Sequence, residues 1–161
     1  MRRFPQFEGL KAVIVGAARE GTALSRFLAV NGASITLADA KTRQALAGQL
    51  DGLDELGVTF CLDGQGPDLE HVDVVFLSPG VPPSASIVQR CRELGIPLSS
   101  EPRLFTQLGV LPVVGITGSS GKTTTTALTG LMLEKSRRSV WVGGNIGMPL
   151  IEHLGDEDYA D

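Results

Sequence analysis

Two stretches of this chain repeat one pattern: a short apolar run, a glycine-rich loop, then a segment with helical character. Residues 11–15 (KAVIV) lead into Gly16-Ala17-Ala18-Arg19-Glu20-Gly21, and residues 113–117 (VVGIT) lead into Gly118-Ser119-Ser120-Gly121-Lys122-Thr123. An apolar run with no polar alternation is a strand buried on both faces, as strands of a parallel sheet are. Glycine accounts for 20 of 161 residues, above the usual share of about 7%. With no collagen period, that excess marks turns and close backbone approaches.

The rest of the chain follows the same alternation. Helical spacing of Ala23, Leu24, Phe27 and Leu28 predicts a helix over 21–30. Strands are predicted at 34–38 (SITLA), 58–62 (VTFCL), 73–77 (DVVFL) and 96–99, with a polar helix near 42–50. Ser84 is placed to cap a helix running to Leu94, with Gly95 as its stop, and a short helix is expected over 101–107. A linker-like Gly109-Val110-Leu111-Pro112 precedes the second unit, which adds a helix over Lys122–Lys135 and a strand over 139–142. The expected class is α/β: a Rossmann-like parallel-sheet domain over 1–108, then the truncated start of a P-loop ATPase domain over 109–161.

Composition excludes several functions. Fourteen basic against eighteen acidic residues give a net charge of −4, and only 5% of residues are aromatic. Neither a basic nucleic-acid footprint nor a base-stacking face fits those figures. No apolar stretch approaches the roughly 18 residues of a membrane span. Cys61 and Cys91 stand 30 residues apart with no histidine pair nearby, so they read as buried free thiols in a reducing compartment. His71 and His153 have no partner at metal-ligand spacing and read as surface residues.

The second loop suits phosphate chemistry. Glycines let the backbone curl until several N–H groups face inward, at the positive end of a helix. Lys122 can reach β- and γ-phosphates, and the Thr123 hydroxyl can bind Mg²⁺. The strict G-x-x-x-x-G-K-[ST] spacing is not met, because Ile116 stands five residues before Gly121. Thr123–Thr126 puts four β-branched residues at a helix start, a local conflict with propensity that marks a site. Thr123 and Thr124 face the loop, while Thr125 and Thr126 read as packing or backbone-bonded.

The first loop is G-x-A-x-x-G, and Asp39 follows Gly16 by 23 residues, near where a dinucleotide fold keeps its ribose-binding acid. Ala18 puts a methyl where a pyrophosphate would approach, which leaves a nucleotide of another shape, such as a nucleotide sugar, open. Ser78-Pro79-Gly80-Val81-Pro82-Pro83 is a stiff turn at a strand's carboxyl end, where such sheets bind ligands. Gly143-Gly144-Asn145-Ile146-Gly147 suggests backbone wrapped around a ligand, with Asn145 hydrogen bonding in both senses.

Taken in order, these motifs resemble the Mur ligases, the ATP-dependent amide ligases of peptidoglycan synthesis. TGSSGKTTTT is similar to that family's ATP loop, and SPG with GGNIG is most similar to its D-glutamate-adding branch. The resemblance covers residues 9–154. It implies a cytoplasmic bacterial enzyme that phosphorylates the carboxylate of UDP-N-acetylmuramoyl-L-alanine with ATP and Mg²⁺, after which the amine of D-glutamate attacks the acyl phosphate. It implies that Arg19, Glu20, Gly21, Asp39, Ala40, Lys41, Gly80 and Asn145 hold the UDP substrate. Gly118, Ser119, Ser120, Gly121, Lys122, Thr123 and Thr124 hold ATP, Thr123 meets Mg²⁺, and Lys122 and Asn145 lie nearest the chemistry. The family's chains are longer, with an acidic Mg²⁺ ligand, a histidine, a carbamylated lysine and a D-glutamate-binding domain beyond these motifs. The resemblance therefore implies an amino-terminal fragment that binds the UDP substrate without completing the reaction; the unpaired strand edges of its half-built second unit predict self-association or packing on the first domain. Two other readings stay open from the residues alone: an NAD-binding oxidoreductase fragment, and a nucleotide-binding module without catalysis.

Overall fold

Five parallel strands form one open sheet in the order β3-β2-β1-β4-β5: β1 Lys11–Val15, β2 Ser34–Ala38, β3 Thr59–Cys61, β4 Val74–Leu77 and β5 Leu98–Ser99. The computed structural model describes residues 4–109, 112–144 and 148–155. Helices α1 Arg19–Val30, α2 Ala47–Leu50, α3 Ser86–Glu93, α4 Glu101–Leu108 and α5 Lys122–Lys135 complete the order, with 3-10 helices at Pro5–Phe7 and Leu150–Gly155.

Both faces of the sheet are covered, as the unbroken apolar strands require. Successive side chains on a strand point to opposite faces. Ala12, Ile14 and Phe76 meet Leu24, Leu28, Leu104, Ile151 and Leu154 on one side. Val13 and Val75 meet Leu69 and Cys91 on the other. Each large side chain buried this way contributes about 1.5–3 kcal/mol. The cores place β1 at the centre, with a cross-connection leaving on either side of it.

Several expectations are corrected. The helix near 42–50 shrinks to Ala47–Leu50, and its flanks run as turns. The helix expected from Ser84 starts at Ser86 with Ala85 as its cap and no side-chain capping bond. Residues 113–117 and 139–142 are not strands. A strand exists only in a ladder, and among the described residues neither segment has one, so Val113 and Val114 stay exposed. Helix α5 forms over the expected residues, but Gly130 is its only buried residue. Cys91 is buried, whereas Cys61 is half-buried with its thiol against the Gln65 carbonyl. His71 is exposed, but His153 is half-buried and stacks on Trp141 at 4.8 Å between ring centroids. No described helix is long and apolar enough to cross a membrane.

Candidate functional site

The strand order fixes where a ligand can sit. β1 connects to β2 on one side, while β4 lies on its other side, so the chain reverses direction at β1 and leaves a crevice at the carboxyl ends of β1 and β4. A cleft of about 610 Å³ opens there. Its walls come from the loop after β1, the loop after β2, the turn after β4, and Gly144 and Pro149 from the far end of the chain.

The loop after β1 is built by its glycines. Gly16 sits at φ +104°, and a Cβ there would lie 2.6 Å from Ser78 Oγ. A Cβ on Gly21 would lie 1.9 Å from the Gly16 carbonyl oxygen, so only glycine lets α1 start this close to the strand. Ala18, between them, is the N-cap of α1 and offers no side-chain hydrogen bond. The helix therefore presents its first-turn amides toward the cleft without a competing side-chain cap.

Asp39 fixes the loop's conformation. Its Oδ2 accepts the Ala17 N–H at 2.7 Å and its Oδ1 accepts the Lys41 N–H at 2.9 Å. One carboxylate thus ties the ends of β1 and β2 together while also lining the cleft. Charge-assisted bonds of this kind contribute about 1.5–3 kcal/mol each. The turn after β4 is pinned in the same way: the Ser78 N–H donates to the Val15 carbonyl at 3.0 Å, and Ser78 Oγ donates to the Gly16 carbonyl at 3.2 Å. The Val81 N–H closes the turn on the Ser78 carbonyl at 3.0 Å, which leaves Gly80 exposed on the rim.

The cleft thus gathers Arg19, Glu20, Asp39, Ala40 and Gly80. Gly21 lies beneath it, in a small adjoining cavity. Lys41 does not line the cleft; its backbone serves Asp39. Asn145 lies outside the described residues, although its neighbour Gly144 reaches the wall. Ser78, Pro79, Val81 and Pro82 line the cleft as well, and so does Pro149. The first four belong to the stiff turn, whose position at a strand end was the available signal. Pro149 had no local signal, because it arrives by tertiary contact. Burial pushes the Glu20 carboxyl above its ordinary range.

The second loop stands apart, and none of Gly118–Thr124 lines the cleft. Gly121 turns into α5 at φ +75°, with no side-chain cap. The Thr125 N–H is already bonded to the Gly121 carbonyl at 3.0 Å, so the amides of 122–124 are those a bound anion can take. The Lys122 ammonium folds back onto the Gly118 carbonyl. An anion in the loop would draw it away. Ser119, Ser120, Thr123 and Thr124 are exposed, so these residues fit a triphosphate and, at Thr123, a hydrated Mg²⁺. Thr125 is exposed, but its carbonyl accepts the Thr129 hydroxyl at 2.8 Å, and Thr126 is half-buried. Among the described residues no group of three His, Cys, Asp or Glu side chains could hold a metal.

Comparison with known proteins gives a consistent answer. The chain is 43% identical over 148 residues to the UDP-N-acetylmuramoylalanine–D-glutamate ligase of Geobacter metallireducens, covering 91% of this chain and 33% of that protein. It is 42% identical over 156 residues to the ligase of the same name from Pelotomaculum thermopropionicum, covering 94% and 34%. The chain therefore spans about a third of the length of the curated relatives it matches. Among solved structures, the murein peptide ligase of Psychrobacter arcticus shares the fold with a TM-score of 0.51 at 22% identity, over 80% of this chain and 27% of that one. No protein-family model matches the chain.

Proposed function

We propose that this chain, which belongs to the Mur ligase family, supplies the uridine-nucleotide cleft and the ATP loop of a D-glutamate-adding ligase. The observation that carries the reading is the cleft at the strand reversal. It brings Arg19, Glu20, Asp39, Ala40 and Gly80, dispersed over 62 residues, to one place beside the uncapped start of α1. The diphosphate of UDP-N-acetylmuramoyl-L-alanine lies against the α1 amides, where the helix dipole favours negative charge. The uracil lies between the Asp39–Ala40 edge and the Gly80 turn. ATP and Mg²⁺ belong to Gly118–Thr124, with Lys122 on the phosphates and Thr123 on the metal. Gly144 lines the cleft, and the family resemblance assigns its neighbour Asn145 to the substrate. In the whole enzyme the reaction is acyl phosphate formation followed by attack of D-glutamate, in the bacterial cytoplasm.

A nicotinamide dinucleotide suits the cleft less well. The acid that would hold a ribose is engaged by the Ala17 and Lys41 amides.

Calorimetric titration with UDP-N-acetylmuramoyl-L-alanine, with NADH in parallel, tests the reading. The native chain binds the UDP compound and not NADH. Asp39→Ala weakens that binding by roughly a hundredfold, since two charge-assisted bonds that shape the loop are lost. Lys122→Ala leaves it within about twofold. Binding of NADH alone, or indifference to Asp39→Ala, overturns it.

A further inference from the structure

The wall that Gly144 and Pro149 give to the cleft is held by a carboxyl that does not itself line it. Glu101 opens α4 and is 4% exposed. Its Oε1 accepts the N–H of Ile151, 50 residues away, at 2.6 Å. Its Oε2 is buried with no hydrogen-bond partner. A buried carboxyl with one oxygen unsatisfied is a costly choice at a packed position, where Met or Leu would fill the same volume without that penalty. Packing therefore does not explain it, but the acceptor does.

Ile151 and Leu154 enter the same core as Leu104 and Phe105. Apolar burial holds that segment down but is non-directional, so it does not fix where along α4 the segment sits. A short, directional N–H···O bond does fix it. Pro149, two residues before Ile151, is buried and faces the cleft, so a slip of the segment moves the cleft wall. Glu20 joins the two regions. It lines the cleft, and it also lines a cavity of about 10 Å³ shared with Glu101, Gly21 and Ser78.

We propose that Glu101 is a positioning residue of the cleft: its carboxyl oxygen fastens residues 148–155 to the sheet unit and so sets the wall that Gly144 and Pro149 present to a ligand. The inference depends on the uridine-nucleotide reading only for the choice of ligand. Trp141 gives a second probe, because it packs between Phe105 of α4 and His153 of the fastened segment.

The experiment compares Glu101→Met, which keeps the volume and loses the acceptor, with Glu101→Gln, which keeps an acceptor. In the ligand-free chain, Glu101→Met speeds amide exchange at Ile151 roughly tenfold and shifts Trp141 emission to the red, while exchange at Val13 and Ile14 is unchanged. Affinity for UDP-N-acetylmuramoyl-L-alanine falls roughly tenfold in parallel, and Glu101→Gln restores both to within about threefold. Unchanged Ile151 exchange in Glu101→Met overturns the proposal, as does failure of Glu101→Gln to restore it. Equal loss of protection at Ile14 also overturns it, since the role would then be general stability. Faster Ile151 exchange in a chain whose native form binds no UDP compound keeps the fastening and discards the uridine reading.

Discussion

Helices α1 and α5 begin alike and end differently. Each follows an apolar run and a glycine loop, and neither has a side-chain N-cap. Helix α1 buries Leu24 and Leu28 completely against β1 and β2. Helix α5 leaves Leu128 and Leu131 each 55% exposed and Met132 70% exposed. The difference is not in the helices' apolar content but in whether a hydrogen-bonded sheet lies beneath them. A glycine loop and a helix can form from local sequence, whereas the face that stabilises the helix must come from elsewhere in the fold. The first loop is accordingly held by Asp39 and Ser78 from the ends of other strands, whereas in the second the Lys122 ammonium turns back onto the loop's own Gly118 carbonyl.

That contrast is open to direct attack. Leu24→Ala should cost about 2–5 kcal/mol in urea unfolding, while Leu131→Ala stays within about 0.5 kcal/mol. Equal losses would mean that α5 has a buried face after all. Gly21→Ala is the next test. Its methyl meets the Gly16 carbonyl, and the strand-to-helix approach must open, at about 3 kcal/mol by thermal melting. An unchanged melting temperature would show that the loop has room to spare.

The smallest effect concerns pH. Burial holds the Glu101 carboxyl above the usual carboxylate range; the Ile151 and Leu150 N–H groups offset part of that, and Glu20 and Glu152 add to the rise. The folded state thus keeps this proton more tightly than the unfolded chain. The contribution is fully present below the unfolded-state value and is lost as pH rises through the raised one. Urea midpoints should therefore fall from acid toward neutral pH, and fall less in Glu101→Gln, where only Glu20 keeps a raised carboxyl facing that cavity. Identical slopes would remove Glu101 from the balance.

Local pattern placed the first sheet well. The expected strands at 11–15 and 34–38 hold to the residue, because an apolar run ended by glycine or aspartate has few other ways to be buried. The pattern failed at 42–50, where Thr42 and Ala45 close a turn instead of entering a helix. It failed again at 113–117 and 139–142, since β-propensity describes a surface ready to pair and cannot supply the partner. In the site, spacing identified Asp39 as important, but its grip on Ala17 and Lys41 depends on where β2 ends relative to β1.

By itself, then, the sequence determined the alternation of strand and helix in the first sheet and the need for glycine at 16 and 21. These follow from backbone sterics and hydrophobic period, which act over a few residues. The tertiary structure alone decided that Asp39 and Ser78 would lock the first loop and that Glu101 would hold Ile151. It also decided that Pro149 would close a cleft begun at Gly16. Those partners lie 22 to 133 residues apart in the chain, and only the strand order and the shared core bring them within reach.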